Sequence, residues 1–122
     1  MTRTLRQRLG DEAEEQALKL LQAHGLALVR RNYRCRFGEL DLVMRERGTV
    51  VIVEVRRRSR ADFGSSLESV GTRKQQRLLR AARHLLARTP ELARLACRFD
   101  VVGFDAHGEP QWLQDAFRAD AW

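Results

Sequence analysis

The chain has 122 residues, 43% hydrophobic and 32% charged, with two prolines and eight glycines, a balance that excludes disordered, collagen-like and membrane-spanning chains. It fits one globular domain over residues 1–122, large enough to bury a core without disulfides. Lysine and arginine total 23 against 16 acids, a formal charge of +7, which points to a polyanionic partner and to nucleic acid first of all.

The N-terminal stretch Met1 to Leu9 is charged and lacks the apolar region of a secretion signal, so a cytoplasmic location without membrane contact is expected. From Leu5 to His24 the residues Leu5, Leu9, Ala13, Ala17, Leu18, Leu20 and Leu21 recur at helical spacing, and Gly25 is placed to close the helix. Leu26 to Tyr33, Glu39 to Glu46 and Thr49 to Arg57 read as strands, separated by Phe37-Gly38 and Arg47-Gly48, the second and third forming a hairpin. Ser59 to Gly71 reads as a loop or lid. A second helix runs from an N-cap at Thr72 to about Arg88, ahead of Thr89-Pro90. After a turn over Pro90 to Leu95 come strands at Cys97 to Phe104 and Gln111 to Leu113, joined by Ala106-His107-Gly108-Glu109-Pro110. The order is α-β-β-β-α-β-β. Cys35 and Cys97 lack the spacing of a zinc or redox pair and are expected to be reduced.

Glu14 is the first residue that breaks its surroundings. Ala17, Leu18 and Leu21 lie three, four and seven positions after it, which sets a carboxylate in the apolar stripe, where it must be solvated at the stripe's edge, paired, protonated or bound to a metal. A two-residue turn at Arg47-Gly48 would pair Glu46 with Thr49 and, counting back, Asp41 with Glu54. Like charges so placed repel, and a divalent cation turns the repulsion into attraction. The alternatives are two acids facing solvent or a slipped register. The same counting sets Arg56 on the face of Glu54 and opposite Glu39, where it can neutralise Glu39 or hold a phosphate.

In the second helix Leu78, Leu79, Ala82, Leu85 and Leu86 form the apolar stripe, and Gln75 lies within it, its amide aimed toward the sheet and the same site. Arg73, Arg77, Arg80, His84 and Arg88 form a ridge on another side, suited to tracking a phosphate backbone or simply to being solvated.

Four segments in this order, Gly-Glu-Leu-Asp-Leu-Val (38–43), Val-Ile-Val-Glu-Val-Arg (51–56), Thr-Arg-Lys-Gln (72–75) and Arg-Phe-Asp-Val-Val (98–102), resemble the YraN-like family of small bacterial proteins. That family is similar to archaeal Holliday-junction resolvases within the PD-(D/E)xK nuclease superfamily. The resemblance runs from Gly10 to Phe117. It implies a restriction-endonuclease-like α/β fold, a central mixed sheet flanked by helices, and a site in which Glu14, Asp41 and Glu54 hold Mg²⁺ or Mn²⁺, with Lys74 and Gln75 at the start of the later helix. It departs from the superfamily at Arg56, where a lysine is usual. Arginine stays protonated and can stabilise charge but cannot accept a proton. Lys74 could substitute if its side chain reaches the site.

The expected function is divalent-metal-dependent phosphodiester hydrolysis on structured or branched DNA. The branched preference and a homodimer follow from the resemblance alone. The rival expectations are a nucleic-acid-binding module that has lost turnover through Arg56, and an adaptor whose basic face meets an acidic protein.

Overall fold

The computed structural model describes residues 4–57 and 70–118. Helix α1 spans Leu5–Ala23. Its start is capped reciprocally: the Gln7 N–H donates to Thr4 Oγ1 at 3.1 Å, and the Thr4 N–H donates to Gln7 Oε1 at 2.9 Å. Its end turns at Gly25, φ +90, where the N–H groups of Gly25 and Leu26 return to the carbonyls of Gln22 and Leu21. That left-handed turn needs glycine, and it folds Leu26 back into the core.

The elements that follow are β1 (Ala27–Cys35), β2 (Gly38–Glu46), β3 (Thr49–Arg57), α2 (Thr72–Arg88), α3 (Pro90–Ala93), β4 (Ala96–Phe104) and β5 (Pro110–Phe117). The expected order is present with one addition. The stretch read as a turn after Pro90 contains a single helical turn, with proline at its start, where the missing N–H costs nothing. Gly71, not Thr72, is the N-cap of α2, and no side chain caps it. β5 extends to Phe117 instead of stopping at Leu113, because a distortion at Asp115, φ +51, masks the strand period. Most of the expected loop Ser59 to Gly71 lies outside the described residues.

One five-stranded sheet runs β1-β2-β3-β4-β5, with β3 and β4 parallel and the other neighbours antiparallel. It is an α/β fold with a mixed sheet flanked by helices. Ala13, Ala17, Leu18 and Leu21 of α1 pack with Leu42, Met44, Val51, Val53, Val102 and Phe104, while Leu78, Ala81, Ala82 and Leu85 of α2 pack with Val43, Val50, Ile52, Phe99 and Val101. Successive β3 residues go to opposite clusters, as strand alternation requires, so the two helices cover opposite faces. Leu5, the expected start of the α1 stripe, is 65% exposed. No helix among the described residues is long and apolar enough to cross a membrane.

One irregularity positions the site. Leu42 packs with α1, yet Leu40, two residues away on the same strand, packs with α2. The alternation therefore breaks at Asp41. On the neighbouring strand β1, Asn32 sits at φ +51 between Arg31, which pairs with Leu42, and Tyr33, which pairs with Leu40. A single left-handed residue re-aims the side chains on either side of it.

Candidate functional site

The central hairpin turns at Arg47-Gly48, with Arg47 at φ +54. Its ladder runs from Glu46 opposite Thr49 to Leu42 opposite Val53, which is the expected register. The next step would set Asp41 against Glu54. There the ladder stops, and the Asp41 carboxylate replaces the missing backbone acceptor by taking the Val55 N–H on Oδ2 at 2.9 Å. The strand irregularity thus fastens one acid beside the other.

Glu54 is only 4% exposed. Its Oε1 faces Lys74 Nζ at 3.4 Å and Arg56 Nη1 at 3.6 Å, while Oε2 is buried with no hydrogen-bond partner. Burial, and then the charge of Asp41, push the Glu54 carboxyl up to about 8, against the pull of Lys74 and Arg56. Asp41 is also raised, first by burial, despite the Val55 hydrogen bond. Glu14 is half-buried and pushed up to about 7, first by burial and next by Asp41. Asp41 is therefore the acid that neighbours both of the others.

Two further residues join them. With its amide oriented to suit both acids, Asn32 Nδ2 donates to Glu14 Oε1 and to Glu39 Oε1, each at 3.0 Å. The charge of Glu39 in turn raises Glu14 and Asp41. Sequence reasoning missed Asn32. The available signal was its type, since asparagine is depleted in strands and tolerates left-handed backbone.

The remaining candidates divide. Lys74 reaches Glu54, the condition set for it above. Arg56 pairs with Glu54 instead of Glu39, because the ladder ends before that register is reached, and Glu39 pairs with Arg34 at 3.5 Å. The Gln75 amide donates to the Val70 carbonyl at 3.0 Å and so fastens the segment leading into α2. Arg73, Arg77, Arg80 and Arg88 are exposed on α2. His84, expected on their ridge, turns inward, hydrogen-bonding the Tyr33 hydroxyl and lying edge-on to Phe37. Among the described residues, no group of three or more His, Cys, Asp or Glu side chains is arranged to hold a metal ion. Cys35 and Cys97 are free thiols, and burial pushes Cys97 up to about 12, which makes it inert.

A second buried acid, Asp100, also escaped the sequence reading, although a charged residue inside Phe99-Asp100-Val101-Val102 was a usable signal. Its two oxygens accept from Arg98 Nε and Nη2, from Trp112 Nε1 at 2.9 Å and from the Asp115 N–H at 2.9 Å. Arg98 continues to Glu46 Oε1 at 3.1 Å, which ties β4 and β5 to the end of β2.

Fold and site together define an α/β protein in which a buried acid and a half-buried one are paired at the open end of the central hairpin. The model of the uncharacterised protein family UPF0102 matches residues 13–104. UPF0102 proteins of Nitrosococcus oceani and of Pseudomonas putida strain GB-1 are 45% and 51% identical to the chain. The matches cover 92% and 90% of this chain and 93% of each relative. A UPF0102 protein of Halorhodospira halophila is 50% identical over 92% of the chain and 88% of its own length. The chain belongs to the UPF0102 family, the YraN-like family of the resemblance.

Proposed function

We propose that this protein binds structured or branched DNA and hydrolyses a phosphodiester at the Asp41–Glu54 pair with Mg²⁺ or Mn²⁺. The observation that carries the reading is Glu54 Oε2, a buried carboxylate oxygen that no cation or amide reaches, beside Asp41, whose carboxyl burial also raises and which can share a proton with it. Such an oxygen is costly unless a proton or a cation occupies the gap. Two hard carboxylates with water and substrate phosphate are a sufficient set for Mg²⁺. Asp41 and Glu54 would hold the ion, and the charge of Glu14, felt by Asp41, would add to the pull on it. Bound there, a divalent cation supplies a water of lowered pKa and neutralises charge on the phosphate.

The chain's own cations do the rest. Lys74 and Arg56 already converge on Glu54 Oε1, a position from which they would donate to the oxygens of a phosphate beside the carboxylates. Arg56 cannot accept a proton, since arginine stays charged. Arg73, Arg77 and Arg80, exposed along α2, contact the backbone on either side.

One observation favours a second reading, a binding module without turnover: arginine at position 56 joined to the lack of a three-ligand group among the described residues. Incubating linear, flapped and four-way DNA with Mg²⁺ or Mn²⁺, beside Asp41→Ala, separates the two. Cleavage lost in Asp41→Ala supports the nuclease. Binding without cleavage, with a salt slope near −0.9 per phosphate that flattens when Arg73, Arg77 and Arg80 are replaced, supports the module. No binding to any of these DNAs at low salt defeats both.

A further inference from the structure

Away from the acids, a cavity of about 510 Å³ opens between β1 and the C-terminal half of α2. Arg30, Arg34 and Arg36 line it from the strand side and Arg88 from the helix, with Tyr33 and His84 between them. Four arginines thus line one concavity, and cations so clustered repel each other unless an anion joins them. Arg30, Arg36 and Arg88 have no carboxylate partner among the described residues, and the one acid near Arg34 is Glu39 at 3.5 Å.

Two of these cations are also held in place. Arg30 lies over the Tyr33 ring at 4.8 Å and Arg36 over the Phe37 ring at 4.7 Å. Stacking fixes the plane of a guanidinium and leaves its N–H edge free to fork onto oxygens. Tyr33 is buried, and its hydroxyl is hydrogen-bonded to His84 Nδ1. When Tyr33 donates in that bond, the other ring nitrogen of His84 carries the proton and is a further donor.

We infer that this cavity binds a phosphate monoester, the phosphorylated end of a nucleotide strand. A phosphodiester within a strand carries one negative charge, whereas a monoester at pH 7 carries nearly two and offers three terminal oxygens, a better match for a cavity lined by four arginines. Shape agrees with charge. The exposed ridge of α2 can follow a backbone, but a concavity accepts an end, and its volume lies in the range of small-ligand sites. The inference rests on the nucleic-acid reading above only in naming what carries the phosphate.

The test compares three single-stranded oligonucleotides in wild-type protein and in Arg30→Ala/Arg88→Ala, which alters exposed side chains alone. One strand has a terminal phosphate, one has hydroxyl ends, and one has hydroxyl ends and an extra nucleotide, so that it gains its phosphate as a diester. The expected result is about tenfold tighter binding of the phosphorylated strand than of either other, lost in the alanine variant and partly restored in Arg30→Lys/Arg88→Lys. Equal binding of all three, or a preference that survives the double alanine change, overturns the inference and leaves DNA binding standing. A parallel titration of a nucleoside monophosphate against the nucleoside, read from the His84 ring resonances, separates the readings when no strand binds. Monophosphate-specific shifts then uphold the cavity and their absence overturns it, while the DNA reading stands or falls with the linear, flapped and four-way DNAs above.

Discussion

Glu54 and Asp100 lie on the adjacent parallel strands β3 and β4, 4% and 1% exposed, yet their surroundings are opposite. Asp100 has donors on both oxygens from a guanidinium, an indole and a backbone amide. Glu54 has two cations on one oxygen and none on the other. Burial of an acid therefore does not mark function in this fold. On the function proposed above, completeness of the hydrogen bonding does, because a satisfied network stiffens the sheet and an incomplete one leaves room for a cation or a proton.

The largest effect expected from this contrast is at the satisfied acid. Asp100→Ala leaves Arg98, Trp112 and the Asp115 N–H without their acceptor and should cost about 3–5 kcal/mol in urea unfolding, the range for removing one partner of a buried ion pair. A loss below about 1 kcal/mol would break the comparison.

The unsatisfied site should respond next most strongly, through its ligand. Glu14 and Glu54, raised to about 7 and about 8, keep their protons at low pH, and a cation must displace them. At a hundred times its Kd, an ion that binds only the native state adds about 2.7 kcal/mol. The rise in Tm on adding Mn²⁺ should therefore be small at pH 5.5 and large at pH 8.5, and Asp41→Asn should abolish it. Equal gains at both pH values would count against a carboxylate-held ion.

Without a cation the sign reverses for Glu54. Its native carboxyl holds a proton that the unfolded chain releases above its ordinary value of 4.5, so the stability that proton contributes drains away as pH rises from 4.5 to about 8. Glu54→Gln has no proton to lose. It should unfold like wild type near pH 5 and be more stable by about 1–2 kcal/mol above pH 8, since it removes a poorly satisfied buried charge. Parallel denaturant curves at the two pH values measure this, and a variant destabilised above pH 8 would show Glu54 to be as structural as Asp100.

The smallest effect is expected at Arg56. Because Lys74 already stands 3.4 Å from Glu54, Arg56→Lys adds a second ammonium where one is present, and metal-dependent cleavage should improve less than about tenfold. Proton acceptance by a general base is typically worth about 10²- to 10⁴-fold, so a gain of a hundredfold or more would show that a lost base limits the wild type.

Local rules carried much of this into the sequence. The register of the central hairpin was legible because Arg47-Gly48 admits a tight turn, and the depth of Glu14 because helical spacing surrounds it with Ala17, Leu18 and Leu21. What stayed hidden depends on distant partners. The break in alternation at Asp41 needs Asn32 on the neighbouring strand, and the end of the β2–β3 ladder needs the Asp41 carboxylate to replace a carbonyl. The approach of Lys74 to Glu54 depends on how α2 docks across the sheet, which no spacing encodes. Counting register past the end of the ladder is also what misassigned Arg56 to Glu39.

Both outer strands of the sheet are deformed. β1 shifts register between Leu28 and Arg30 and holds Asn32 at φ +51, while the β4–β5 pairing shifts between Phe99 and Val101 and β5 holds Asp115 at φ +51. A straight outer strand is a template onto which another chain can add, and a kinked one rich in arginine, as β1 is with Arg30, Arg31 and Arg34, is a poor template. The distortion that re-aims side chains around Asp41 thus also makes β1 a poor edge for a further strand to join, and smoothing β1 by replacing its arginines with threonine is expected to favour aggregation even where the fold survives.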